Sequence, residues 1–373
     1  MRGWTRGGAL ALALLLTASA TAVSGPKAPR PSGLDLGALL LVGFSGTEVE
    51  GNRELREALC AARVGGIILL ARNITDAEQV AHLTRDARAT SRACSGRSLL
   101  VATDAEGGQV MRLGPDAGYT PTLSHRDLGE GNDLAETELE ARRIGRMLSG
   151  AGIDWNLAPV VDVGYNPANP VIVGHARSFG AGPEIVTSHA RAYIRGMHAE
   201  GVLTTLKHFP GHGSSFTDSH LGFVDVTDTA NRDLELAPYR TLIADRLADS
   251  VMTGHVFNRQ LDSRYPATLS RSTIHGLLRT ALRFAGVVVS DDLRMGAIEK
   301  QWGVGEASVL ALRAGVDILL IVDDRLPDGR SAAQVALGAL RVALAQRRLD
   351  AEQVAAAIQR VHALRARLAV LRE

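Results

Sequence analysis

The chain is nearly without net charge: Lys+Arg number 41 and Asp+Glu 40, a balance of +1 over 373 residues. It also lacks a long basic run, so there is no electrostatic footprint for nucleic acid, and the expected partner is a small or polar uncharged ligand. Long hydrophobic runs are missing too. The apolar stretch from Ala9 to Leu16 is too short to cross a bilayer, which argues against stable membrane insertion. Cysteine is scarce, with only Cys60 and Cys94, and neither has the surroundings of a catalytic thiol. No internal repeat or low-complexity tract points to a solenoid or a linker-rich protein.

The N-terminus has a pattern of its own. Arg2 and Arg6 precede the apolar run, and the small residues Ala18-Ser19-Ala20-Thr21-Ala22 follow it. That order predicts a signal peptide over residues 1–22, cleaved after Ala20 or Ala22, and export to a periplasm or the cell exterior. No cysteine sits where a lipid would be attached. In an oxidising compartment Cys60 and Cys94 can pair, but only if their Cα atoms approach within about 7 Å; sequence leaves a disulfide and two buried thiols both open.

After a linker over residues 23–36, short apolar runs alternate with helical patterns. Strands are expected at Ala38–Gly43, Gly66–Leu70, Leu99–Asp104, Asp154–Asp162, Leu203–His208, Ser250–His255, Val287–Asp291 and Asp317–Val322. Most are continuous rather than alternating, as in parallel strands covered on both faces. Ala135–Ser149, Pro183–Glu200, Arg232–Asp245 and Ser272–Leu282 have helical spacing, and Ala333–Gln346 and Ala351–Leu371 close the chain in the same way. Eight strand-helix alternations predict an α/β fold, a single (β/α)8 TIM barrel over residues 37–373. An open doubly wound sheet is disfavoured, because no Gly-rich dinucleotide fingerprint follows the first strand.

Several strands end on polar residues: Asp104, Asp162, Lys207, His208, His255 and Asp291. In a barrel these collect at one mouth. The segment Lys207-His208-Phe209-Pro210-Gly211-His212-Gly213, followed by Asp218-Ser219-His220, is the densest concentration of reactive side chains. Two chemistries compete for it. His208, His212, His220 and Asp218 are all metal-ligand types. Alternatively, Asp218 orients His220 two residues on, leaving the free ring nitrogen for proton transfer, and the i, i+2 spacing in an extended loop favours this reading. In Ser290-Asp291-Asp292-Leu293, Asp291 is assigned to chemistry and Asp292 to capping the following helix. Asp162 and His255 are read as supporting residues.

Five ordered blocks resemble family 3 glycoside hydrolases, in particular the β-N-acetylglucosaminidase (β-hexosaminidase) branch of peptidoglycan recycling. They are Asp104-Ala105-Glu106-Gly107-Gly108-Gln109-Val110-Met111-Arg112, Asn156–Val163, Arg177-Ser178-Phe179-Gly180, Lys207–His220 and Ser290–Leu293. The sequence departs from the branch pattern at Ser214-Ser215, where an acidic or amide residue and Thr are usual, and at Val173–Ala176 before Arg177. The resemblance implies Asp291 as nucleophile, His220 as general acid/base and Asp218 as its partner, with Asp104, Arg112, Arg177, Lys207 and His208 binding the sugar. It implies a retaining exo-enzyme, needing no cofactor or metal, that acts on N-acetylglucosamine-containing glycans or muropeptides; a monomer is expected. A phosphorylase, a β-glucosidase, a metal-dependent hydrolase and an inactive glycan-binding barrel are the rivals.

Overall fold

The computed structural model describes residues 1–4 and 33–373. The expected cleavage sites and most of the expected signal peptide and linker lie outside the described residues. Among those described, no helix is long and apolar enough to cross a membrane.

Eight of the strands run parallel and form the centre. They are β1 (Leu40–Val42), β2 (Gly66–Leu69), β3 (Leu100–Thr103), β6 (Trp155–Asn156), β7 (Thr205–Phe209), β9 (Ser250–Thr253), β11 (Val287–Ser290) and β12 (Leu319–Ile321). Every residue in them is buried, because helices cover one face and the packed interior the other. Their ladders make two parallel sheets, β12-β1-β2-β3-β6 and β11-β9-β7, rather than one continuous ring. Isolated parallel bridges lie between the sheets: Trp155 with Leu203, Val160 with Lys207, and Val289 with Ile318. The remaining strands form small pairs near the strand C-termini, β4 (Ala105–Gly107) with β5 (Val110–Met111), and β8 (Val224–Asp225) with β10 (Val256–Phe257).

The predicted strand Asp154–Asp162 is the largest correction. Only Trp155–Asn156 is regular strand, because Pro159 removes a ladder donor, and beyond it the chain pairs with the neighbouring strand only through the isolated bridge of Val160 with Lys207. The expected strand Ser250–His255 likewise stops at Thr253.

The helices are α1 (Arg53–Arg56), α2 (Ala77–Ser95), α3 (His125–Gly131), α4 (Leu134–Gly150), α5 (Pro183–Ala199), α6 (Arg232–Ala244), α7 (Gly296–Ala314), α8 (Ala332–Ala345) and α9 (Ala351–Leu371). Their starts follow from the sequence: Asp76, Asp133, Asn231, Ser331 and Asp350 each accept a hydrogen bond from the first-turn backbone of α2, α4, α6, α8 and α9. Ser272–Ala281 is wound as a π-helix where the spacing suggests an ordinary one. One contiguous apolar cluster runs from Leu36 to Leu368, so α8 and α9 complete the same core as the strands. Cys60 and Cys94 are joined in a disulfide with Cα atoms 5.3 Å apart, tying the segment before β2 to the end of α2.

Candidate active site

A cavity of about 630 Å³ opens at the C-terminal ends of the strands. All eight residues expected to form the site line it: Asp104, Arg112, Arg177, Lys207, His208, Asp218, His220 and Asp291. They reach it from four strand ends and the loops beyond, because parallel strands send their C-termini to one side.

On one wall, Asp104, just beyond β3, accepts from Lys207 Nζ at 2.8 Å and faces Arg112 across 3.7 Å. The Arg112 Nε is buried and has no protein partner. Lys207 also reaches Glu106 at 2.7 Å, and Glu106 takes a two-pronged pair of bonds from Arg177, at 2.8 and 2.7 Å. Burial opposes ionisation of Glu106, yet Arg177 and Lys207 hold its carboxyl well below the ordinary range. Burial likewise works against the charge on Lys207, and Asp104 and Glu106 outweigh it, raising its pKa. A fixed row of opposite charges results, with each guanidinium and ammonium direction set before any ligand arrives.

Lys207 and His208 sit where the β7–β9 register shifts, an irregularity that re-aims side chains at a strand end. His208 Nδ1 lies 2.7 Å from Asp162, and Arg177 is 3.3 Å from Nε2. With hydrogen on Nδ1, the ring donates to Asp162 and accepts from Arg177. Asp162 also accepts from the backbone N–H of His212 at 2.8 Å, so one carboxylate orients His208 and pins the following loop.

His212 is buried and bonded to Ser215 Oγ at 2.7 Å and Ser219 Oγ at 3.2 Å; burial, with His208 nearby, pushes its pKa down to about 4. Its ring is taken up by the serine hydroxyls of its own loop, and it does not line the cavity. The histidines thus go to separate partners, and among the described residues no group of three His, Cys, Asp or Glu is arranged to hold a metal. Gly213 is fixed by space, since a Cβ there would stand 1.9 Å from Val163 O.

His220 is exposed, and its Nδ1 lies 2.6 Å from Asp218 Oδ1, which also accepts the His220 backbone N–H at 2.8 Å. Burial opposes ionisation of Asp218, but these two donors hold its pKa down. The carboxylate therefore locks Nδ1 and leaves Nε2 open. The His220 loop rests on the start of α7: His220 O accepts from Gly296 N at 3.2 Å, and Leu221 O from Lys300 Nζ at 2.9 Å.

Asp291 follows β11 and is partly buried. Burial favours its neutral form, but His255, His208 and His220, with the Asp292 N–H, overcome that and bring its pKa down to about 2. Its carboxylate is charged at any ordinary pH. Asp292 does not cap the next helix: α7 begins at Gly296 after Met295. Instead its Oδ1 accepts from Arg294 N at 3.1 Å and Val322 N at 3.0 Å, stitching β11 to the end of β12. Burial, reinforced by Asp291 and Asp323, raises it to about 6. His255 reinforces the same corner by donating to Asp292 O at 2.8 Å.

Glu106 is the principal residue missed from sequence. Its signal was the i, i+2 spacing from Asp104, the same spacing that drew attention to Asp218 and His220. Glu235, which accepts from Tyr165 OH at 2.9 Å beneath Gly211, gave no signal, since only the packing of α6 brings it there.

A charged carboxylate and a carboxylate-oriented imidazole on the wall of one polar cavity are the equipment of a glycoside hydrolase. Residues 34–364 match the Glycosyl hydrolase family 3 N terminal domain, and the chain belongs to that family. It is 35% identical over 294 residues to a beta-hexosaminidase of Idiomarina loihiensis, covering 77% of this chain and 84% of that protein. A beta-hexosaminidase of Bordetella avium is 37% identical, over 79% of this chain and 83% of its own. Among solved structures, a family 3 beta-N-acetylglucosaminidase from Paenibacillus sp. FPU-7 superposes with a TM-score of 0.84 at 38% identity. That match covers 90% of this chain but spans only 62% of the Paenibacillus chain. A beta-N-acetylhexosaminidase from Beutenbergia cavernae gives 0.80 at 34% identity, over 90% of this chain and 99% of its own.

Proposed function

We propose that the protein is a retaining exo-β-N-acetylglucosaminidase that releases terminal N-acetylglucosamine from peptidoglycan fragments or related β-linked glycans. The observation that carries this reading is the placement of Asp291 and the Asp218–His220 pair on one cavity. In the first step an Asp291 oxygen attacks the anomeric carbon. The glycosidic C–O bond breaks, and His220 Nε2–H gives its proton to the departing oxygen. In the second, His220 removes a proton from water as that water displaces Asp291, so two inversions give net retention. Asp104, Arg112, Arg177, Lys207 and His208 hold the sugar's hydroxyls, with Asp162 and Glu106 orienting them from behind.

The two parallel sheets with their intervening bridges constitute, in this reading, a closed (β/α)8 barrel over residues 37–373. Residues 1–22 are a cleaved signal peptide, residues 23–36 a linker, and the mature protein is exported and monomeric. The Cys60–Cys94 disulfide supports an oxidising destination.

A panel of aryl β-glycosides tests the assignment. The N-acetylglucosaminide should be cleaved and the glucoside much less, with water rather than phosphate as acceptor. His220→Ala should lose most activity on poor leaving groups and little on activated ones; equal loss on both would remove His220 from the acid role.

A further inference from the structure

A second large cavity, of about 820 Å³, lies at the opposite end of the strands. Its walls are the C-terminal end of α6, residues Ala281–Val287 leading into β11, and one face of α9. Five arginines and a single aspartate line it: Arg240, Arg246, Arg283, Arg360, Arg367 and Asp249. Both oxygens of Asp249 are already engaged, neither of them by Arg240, Arg246 or Arg283. One oxygen lies 2.6 Å from His198 Nε2 and takes bonds from Thr204 N and Oγ1, both at 2.9 Å; Arg367 binds the other. Arg360 is also committed, to the buried Asp317 at 2.8 Å.

Arg240, Arg246 and Arg283 differ. They are exposed, and among the described residues none has a carboxylate within ion-pair reach. The neighbouring acid, Asp245, is held by Arg191 at 2.6 Å. In a chain whose total charge is only +1, three unneutralised guanidinium groups around one concavity concentrate positive potential. Arg246 and Arg283 follow helix C-termini, where a cation is modestly favourable. That role needs neither Arg240 nor a concave wall.

We infer that this groove is a binding site for an anionic ligand bearing two or more phosphate groups. The planar fork of arginine donates two parallel hydrogen bonds to a phosphate, and three forks around one hollow suit more than one phosphate. The volume is that of a small-molecule site. No residue is shared with the catalytic cavity, so this inference stands independently of the glycosidase reading.

Titration calorimetry of the full chain with inorganic tripolyphosphate at low salt tests it, repeated on the R240A/R246A/R283A variant. Saturable binding is expected, weaker by about tenfold or more in the variant. The variant's glycosidase rate should be unchanged, and its melting temperature only slightly lower, through loss of the helix-terminal cations Arg246 and Arg283. Absence of binding, or equal binding by the variant, overturns the inference. Sedimentation with cardiolipin vesicles, whose headgroup carries two phosphates, separates the sources. Binding relieved by tripolyphosphate assigns a lipid headgroup; no sedimentation alongside tripolyphosphate binding assigns a soluble phosphate compound.

Discussion

Glu106 shows how much a single side chain can set in this site. It is buried and carries both Arg177 and Lys207. Glu106→Gln leaves two cations without their common partner, and breaking such a pair costs about 3–5 kcal/mol. The expected outcome is a lower denaturation midpoint together with a raised KM, measured by urea unfolding and steady-state kinetics. Two carboxyls give opposite responses to pH. Asp291, depressed to about 2 from 3.8, contributes stability that is present above pH 4 and lost as pH falls through 2. Glu235, raised by burial to about 7 from 4.5, binds its proton more tightly in the folded state. Its contribution is complete below pH 4.5 and lost as pH rises through 7, by at most about 3 kcal/mol. Glu235→Gln keeps an acceptor for Tyr165 and should flatten the fall in stability between pH 5 and 8. An unaltered slope would place that dependence elsewhere.

At the scale of elements, the two segments proposed to carry out catalysis are held to each other. The His220 loop hangs from the first turn of α7, the helix that follows the Asp291 strand end. A Cβ on Gly296 would lie 2.9 Å from Leu221 O and 3.0 Å from His220 O, so it must push the loop away. Gly296→Ala should therefore lower kcat by about tenfold or more on substrates with poor leaving groups, where proton donation limits the rate. Activated aryl leaving groups should be little affected, and equal loss on both would point to a general folding defect. This contact could not be read from sequence, since Gly296 and His220 are remote in the chain and only tertiary packing joins them. The Asp218–His220 pair was legible because it is local. An Asp before an apolar helical pattern suggests a cap for the same reason, whereas Asp292 in fact accepts from Val322, just past the end of another strand.

For the molecule as a whole, alternating apolar runs and helical patterns were enough to locate every central strand, because parallel strands must be buried on both faces. Their lengths were not legible. Pro159 and the irregularity at Lys207 and His208 break ladders that composition alone suggests are continuous. The disulfide was open in sequence and is settled by a 5.3 Å approach between helices that meet only in the folded chain. It closes a loop of 34 residues, so Cys60→Ser with Cys94→Ser should reduce stability by about 3–4 kcal/mol while leaving the rate of hydrolysis near that of the parent. The proposed function rests above all on covalent catalysis by Asp291. Peptide mapping by mass spectrometry, after incubation with a 5-fluoro N-acetylglucosaminyl fluoride that slows the second step, tests it most directly. One added sugar is expected on the peptide containing Asp291 and none in Asp291→Ala. A sugar on another residue, or turnover of the reagent with an inverted product and no adduct, would contradict it.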